Sequence, residues 1–374
     1  MSKLKDNGDN IDNSLIDGFG RVARKLRLSV TDRCNMQCIY CMPRDADKRD
    51  ESGNNNSSAS AKRWLAQSQV LSYAEFLRLS YIMARLGIEK IRVTGGEPLL
   101  RPKVEDLIAG LSKINGIKSI SMTTNGLYLG EKAEILKKSG LQSVNISLDS
   151  FNAGRFKAMC GIDGLHKVLD SISSAADAGL EVKINTVIVR GWNDQEVADF
   201  ASFARETGHI VRFIEFMPLD GSGIWSPDLV VSKSEIISRI RNDIGDLVEA
   251  SGIVVDNNNN NNNNIAKVNE DGSAPAKIYS FRDGKGTVGF IPSMTEPFCA
   301  QCDRARITSD GRLLTCLFEN PGHDLKHLLR NGKTDQEIAN YILESTRRKP
   351  EGVVSIIRSK ALKPTLNLMH TIGG

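Results

Sequence analysis

The sequence predicts an α/β fold: six strand–helix units followed by an α+β region. Three observations carry this. Short β-rich runs alternate with helical runs to about residue 230, the pattern of a parallel sheet with helices on its outside. Beyond that point the alternation gives way to hairpins. The composition, 40% hydrophobic, 25% charged and 6% aromatic, is that of a globular chain able to bury a large core without disulfide staples.

The strands fall at Leu26–Val30, Lys90–Thr94, Ser119–Thr123, Ser143–Leu148, Val182–Val189 and Val211–Phe216. Helical patterns occupy gaps between them, at Tyr73–Leu86, Glu131–Ser139, Leu165–Ala178 and Gln195–Glu206. Six such units suit an open or partial (β/α) barrel or a doubly wound sheet, and periodicity does not choose between these. Either arrangement puts functional residues at the C-terminal ends of strands. A helix over Ser234–Asn242 comes next. Two hairpins, turning at Arg282-Asp283-Gly284-Lys285-Gly286 and Ser309-Asp310-Gly311-Arg312, and a helix over Thr334–Ser345 complete the pattern.

A chain of 374 residues accommodates two domains, or one large domain with an extension. The expected division is a polar, disordered lead over 1–20, a core over 21–230 and a C-terminal region over 231–374. Residues 45–63, rich in Asp, Asn, Ser and Lys, read as a flexible loop. The asparagine run 257–264 reads as a solvated low-complexity insertion.

The net charge of +4 is too small for a protein that coats nucleic acid. No run of 18 apolar residues is present, so no membrane-spanning helix is expected. The first twenty residues carry Asp6, Asp9, Asp12 and Asp17 and lack the basic start and apolar run of a secretory signal. Seven cysteines, an odd number, point to a reducing compartment where clustered thiols bind metal or do chemistry.

Six of the cysteines form two triplets: Cys34-x3-Cys38-x2-Cys41 after the first strand, and Cys299-x2-Cys302-x13-Cys316 across the last hairpin. Soft thiolates suit zinc or iron–sulfur clusters. A structural zinc wants four ligands, and the nearest histidine to either triplet is His323, seven residues after Cys316. Three thiolates on a [4Fe–4S] cluster leave one iron open to a small molecule. Structural zinc completed by a distant histidine is the alternative. Cys160 stands alone and reads as a buried thiol.

Cys34-Asn35-Met36-Gln37-Cys38-Ile39-Tyr40-Cys41 resembles the cluster motif of the radical S-adenosylmethionine (SAM) superfamily, and Thr94-Gly95-Gly96-Glu97-Pro98 resembles its GGEP motif. Within that superfamily the chain is similar to the GTP 3′,8-cyclase family over roughly residues 20–374. This rests on Leu26–Cys34, Ile91–Arg101, Thr123–Gly126, Asn145–Asp149, Phe213–Pro218, the second triplet with Cys302-Asp303-Arg304-Ala305-Arg306, and the terminal Gly373-Gly374. The loop after Cys41 and the asparagine tract depart from the family pattern.

The resemblance implies a partial (β/α)6 TIM-like barrel with a C-terminal α+β extension carrying a second iron–sulfur cluster. It implies two [4Fe–4S] clusters, one on Cys34, Cys38 and Cys41 that binds SAM, the other on Cys299, Cys302 and Cys316. SAM contacts carry over to Tyr40, Gly96, Ser147 and Met217, and GTP contacts to Arg27, Arg92, Thr123, Lys183, Arg304 and Arg306. Arg27 and Arg92 sit inside strand runs, where an unpaired charge is costly. Arginine forks suit phosphate oxygens. The first cluster's chemistry, together with Arg304 and Arg306, then makes (8S)-3′,8-cyclo-7,8-dihydroguanosine 5′-triphosphate from GTP, the first step of molybdenum cofactor biosynthesis. The di-glycine tail is implied to enter the site.

The partners implied are GTP, a reductant of unknown identity, and a functional link to cyclic pyranopterin monophosphate synthase; no nucleic acid or membrane partner is expected. A homodimer is neither required nor excluded. The compartment is intracellular, the mitochondrial matrix in a eukaryote and the cytoplasm otherwise. Two alternatives stand: a peptide-modifying radical SAM enzyme with an auxiliary cluster, and a zinc-stabilised nucleic-acid-binding module.

Overall fold

The computed structural model describes residues 14–42, 64–219, 223–250, 275–353 and 369–373. The expected loop over 45–63 and the asparagine tract lie outside the described residues, as does Gly374.

Six parallel strands form the centre: β1 (Lys25–Ser29), β2 (Lys90–Thr94), β3 (Ser119–Thr124), β4 (Ser143–Ser147), β5 (Glu181–Ile188) and β6 (Ile210–Glu215). They lie side by side in chain order. This decides between the two architectures left open above. A doubly wound sheet reverses its order at a switch point, whereas an unbroken order with right-handed crossovers puts every helix on one face. The helices α1 (Tyr73–Arg85), α2 (Val104–Leu111), α3 (Leu129–Lys138) and α5 (Leu165–Asp177) accordingly pack in succession, α1 on α2, α2 on α3 and α3 on α5. α4 (Ala153–Cys160) and α6 (Val197–Thr207) complete the crossovers.

Local signals set the helix starts. Ser72 with Glu75 makes a capping box for α1, as Ser232 with Glu235 does for α7 (Lys233–Asp243). Thr334 with Glu337 does the same for α9 (Asp335–Arg347). Among the helices between the central strands, α2 and α4 escaped the periodicity reading, each only eight residues long.

The C-terminal half extends both edges of this sheet. β9 (Thr287–Ile291) pairs parallel with β6 and carries β8 (Lys277–Phe281) and β7 (Leu247–Glu249). β10 (Arg304–Ile307) pairs parallel with β1 and carries β11 (Arg312–Leu314) and β12 (His323–Asp324). Both expected hairpins are therefore present, but at opposite ends of one twelve-stranded sheet that runs from β12 to β7. α8 (Leu325–Arg330) follows β12.

Alternation along each strand divides the molecule. On β5, Val182, Ile184 and Ile188 are buried in the hydrophobic core, while Asn185 and Val187 line a cavity on the other face. Within the expected polar lead, residues 14–20 are folded. Leu15 is fully buried, its N–H donates to the Leu86 carbonyl, and Ile16 bridges to Val22. A core position for Leu15 and these backbone partners fasten the segment to the fold.

Candidate active site

The first triplet sits on the loop after β1. That loop rests on the two glycines after β2. The Gly96 N–H donates to the Thr31 carbonyl and the Glu97 N–H to the Arg33 carbonyl, both at 2.8 Å. A Cβ on Gly96 would stand 2.3 Å from the Arg33 carbonyl oxygen, and one on Gly95 would stand 2.5 Å from that of Thr31. Only glycine permits this approach. Glu97 is fully buried and accepts from the Leu99 N–H (3.0 Å), the Thr124 hydroxyl (2.8 Å) and the Asn125 N–H (2.7 Å). Burial nevertheless pushes its carboxyl up to about 7. Asn125 reaches back to the cysteine loop, donating to Asn35 Oδ1 at 2.7 Å and towards Cys34 Sγ at 3.9 Å.

Two further acids fasten strand ends. The Tyr40 hydroxyl donates to Asp149 Oδ2 at 2.5 Å, and the Val187 N–H donates to Asp149 Oδ1 at 2.9 Å. Burial raises the Asp149 carboxyl to about 6. Glu215, at the end of β6, accepts from the Met294 and Thr295 N–H groups at 2.9 Å, joining β6 to the segment after β9.

The second triplet flanks the β10–β11 hairpin. Cys299 opens a single 3-10 turn, Cys302 ends it, and Cys316 follows β11. All six cysteines line one cavity of about 270 Å³. Burial pushes the Cys34 thiol up to about 12 and raises those of Cys41 and Cys316. These sulfurs become thiolates only with a cation to hold. Cys302 differs: burial works against its thiolate, but Arg304 and Lys349 outweigh it and bring the thiol down to about 7.

A tetrahedral zinc places its thiolates roughly 3.8 Å apart. Among the described residues, the group of three Cys, Asp, Glu or His ligand atoms within 4.8 Å of one another is Cys38, Asp149 and Cys160, not either triplet. Asp149 there already holds the Tyr40 hydroxyl. In neither triplet do the three sulfurs lie within 4.8 Å of one another, a wider spacing than a single tetrahedral zinc sets.

A row of cations shares this cavity with the triplets. Strand register sets Arg27 opposite Arg306 on one side and opposite Arg92 on the other. Arg212 and Arg304 line the same cavity. Burial, followed by the neighbouring arginines, depresses four of them: Arg92 falls to about 10, Arg212 and Arg306 to about 9, and Arg27 lies well below its ordinary value. Arg92 Nε donates to the Ser121 hydroxyl at 3.2 Å, Arg212 bonds Asn145, and the Arg304 guanidinium stacks 4.7 Å from the Phe298 ring centre.

Of the residues read from sequence, Tyr40, Gly96, Ser147, Met217, Arg27, Arg92, Thr123, Arg304 and Arg306 all line the cavity with the six cysteines. Lys183 is not among the lining residues; its ammonium holds Glu181 at 2.7 Å, at the register position next to Asn145. The sequence reading missed Arg212, whose place two residues before Ile214 on a strand run was the available signal, and the three fastening acids. The tail does reach the site. Gly373 offers its carbonyl to Arg306 at 2.6 Å, the Ser29 hydroxyl donates to the Thr371 carbonyl at 3.1 Å, and Met369 and His370 line the cavity.

Among the described residues no helix is long and apolar enough to cross a membrane. The fold is similar to that of Streptococcus suis SuiB bound to S-adenosylmethionine, at a TM-score of 0.55 and 13% identity, over 93% of this chain and 75% of that one. Residues 28–204 match the Radical SAM superfamily and residues 209–354 match Molybdenum Cofactor Synthesis C. A GTP 3′,8-cyclase of Thermodesulfovibrio yellowstonii is 39% identical over 96% of this chain and 99% of its own length. That of Streptomyces coelicolor is 38% identical over 87% of this chain and 86% of its own. Human molybdenum cofactor biosynthesis protein 1 is 36% identical over 92% of this chain, which spans 50% of that longer protein. With two cysteine triplets and a row of arginines in one cavity, and relatives of this identity along nearly its whole length, the chain belongs to the GTP 3′,8-cyclase family of the radical SAM superfamily.

Proposed function

We propose that this chain converts GTP to (8S)-3′,8-cyclo-7,8-dihydroguanosine 5′-triphosphate, the first step of molybdenum cofactor biosynthesis. The observation that carries the reading is the arginine row. Like charges directly opposed on neighbouring strands are destabilising, more so when buried. A triphosphate supplies the three to four negative charges that such a row lacks.

Cys34, Cys38 and Cys41 hold one [4Fe–4S] cluster, with SAM lying against Tyr40, Gly96, Ser147 and Met217. That cluster, when bound, supplies the electron that breaks a carbon–sulfur bond of SAM. Cys299, Cys302 and Cys316 hold a second cluster on the GTP side. Arg27, Arg92, Arg304 and Arg306 bind and orient GTP, with the Thr123 hydroxyl and the unassigned cation Arg212 beside them. Thr123 Oγ1 is buried without a hydrogen-bond partner, as is Arg212 Nε, so both have capacity for a ligand. Lys183 joins this set only by exchanging Glu181 for a phosphate. The walls of the cavity exclude water from the reacting ribose and base. The electron comes from a separate reductant, and the product passes to cyclic pyranopterin monophosphate synthase.

The test is anaerobic, reconstituted protein given GTP, SAM and a chemical reductant. Formation of 5′-deoxyadenosine together with a cyclised guanosine triphosphate is expected, at about eight irons per chain for two four-iron clusters. Deoxyadenosine formed equally well without GTP removes GTP as substrate. About two zinc ions and no acid-labile sulfide would favour the zinc-stabilised alternative.

A further inference from the structure

The two triplets have electrostatically opposite surroundings. Cys34 Sγ accepts only from neutral groups in the contacts seen, the Met36 N–H at 3.4 Å and Asn125 Nδ2 at 3.9 Å. Cys38 Sγ lies within 4.8 Å of the Asp149 carboxylate. Cys302 Sγ faces two cations instead, Arg304 Nη2 at 3.6 Å and Lys349 Nζ at 3.5 Å.

Lys349 is 5% exposed, just beyond α9, and belongs to none of the motifs that define the site. Its ammonium also donates to the carbonyls of Cys302 (2.9 Å) and Arg304 (3.2 Å), so all three contacts converge on the start of β10. Its segment is itself anchored. Arg21 donates to the Pro350 carbonyl at 2.7 Å, to that of Glu351 at 2.6 Å and to that of Cys299 at 2.8 Å. A Cβ on Gly352 would stand 2.9 Å from Cys299 Sγ, so the same segment packs directly on the triplet. A buried lysine held this way costs desolvation, which a lasting negative partner offsets.

We propose that Lys349 is a positioning residue that sets the reduction potential of the second site, holding the cluster on Cys299, Cys302 and Cys316 at a higher potential than the one on Cys34, Cys38 and Cys41. Positive charge and N–H donors at a ligating sulfur withdraw electron density from iron and stabilise the reduced state. The inference rests on the two-cluster reading above.

The experiment uses the full chain with Cys34, Cys38 and Cys41 replaced by alanine, which silences the first site, and follows the remaining cluster by EPR during a redox titration. Lys349→Gln, which retains polar contacts but no charge, is expected to keep its iron and shift the potential to a more negative value. Lys349→Arg is expected to titrate near the lysine form. An unchanged potential in Lys349→Gln with full iron overturns the inference. Where Lys349→Gln loses iron, Lys349→Arg decides: iron retained at the native potential supports the role of the charge, and iron lost from both variants makes Lys349 a fitted spacer and overturns it. Absence of iron from the triple-alanine chain with Lys349 intact refutes the second cluster itself, and this inference with it.

Discussion

Arg27 and Arg306 stand directly opposite each other across the β1–β10 ladder, a half-buried and a buried arginine brought together by strands 279 positions apart in the chain (306 − 27). Arg306 has one fixed partner in the tail, the Gly373 carbonyl. The pair is therefore both the strongest sign of an anionic ligand and a cost to the empty protein.

That cost predicts a split outcome for Arg27→Met. Removing one crowded, half-buried cation relieves repulsion from Arg306, Arg92 and Arg304. The ligand-free protein should gain roughly 1 kcal/mol, seen as a rise in melting temperature on the order of 2 °C. GTP affinity should fall in the same variant by about 1.5–3 kcal/mol, roughly ten- to 150-fold, measured by calorimetry. A destabilised variant with unchanged GTP binding would remove Arg27 from the phosphate site.

Arg212 was not singled out by any motif, yet it lines the cavity and approaches Asn145. Arg212→Gln should weaken GTP binding about ten-fold or more while leaving iron content intact. The check is GTP titration alongside iron analysis. An effect on iron with none on GTP would assign Arg212 to support of the fold.

Gly96→Ala drives a Cβ into the Arg33 carbonyl, 2.3 Å away. Overpacking of this kind costs about 1–3 kcal/mol, and the cysteine loop is the element that must move. The expected result is loss of iron and sulfide from the first triplet with the second retained. An alanine variant carrying full iron would show that the loop has slack.

Asp149 supplies a pH test. Its carboxyl titrates at about 6 in the folded protein against an ordinary 3.8, burial being the main cause. The folded state then holds more protons than the unfolded state between these values. Its stabilising contribution is complete below about 3.8 and disappears as pH rises through about 6. Asp149→Asn should flatten the fall in stability across that window, measured by urea unfolding at several pH values. Parallel wild-type and variant profiles would contradict the raised value.

The strands and most long helices were legible because their patterns are local. Apolar alternation marks β5, and a serine followed three residues later by glutamate starts α1 and α7. Short helices such as α4 depend on one cap, Asn152, and on packing, so their periodicity was too brief to register. The cysteine spacing, the glycine pair and Arg304-Ala305-Arg306 were equally local; they carried the family resemblance, and that resemblance named nearly all the candidate site.

By itself, then, the sequence determined the repeating strand–helix order, the two sets of three thiols and the identity of the cations. Tertiary structure decided what lies beside what. It placed the two hairpins at opposite ends of one sheet and closed Arg306 against Arg27. It set Lys183 beside Glu181 and carried Lys349 to Cys302. The physical reason is that propensity and spacing act over a few residues, whereas register between distant strands is fixed only when the apolar faces of the whole sheet bury together.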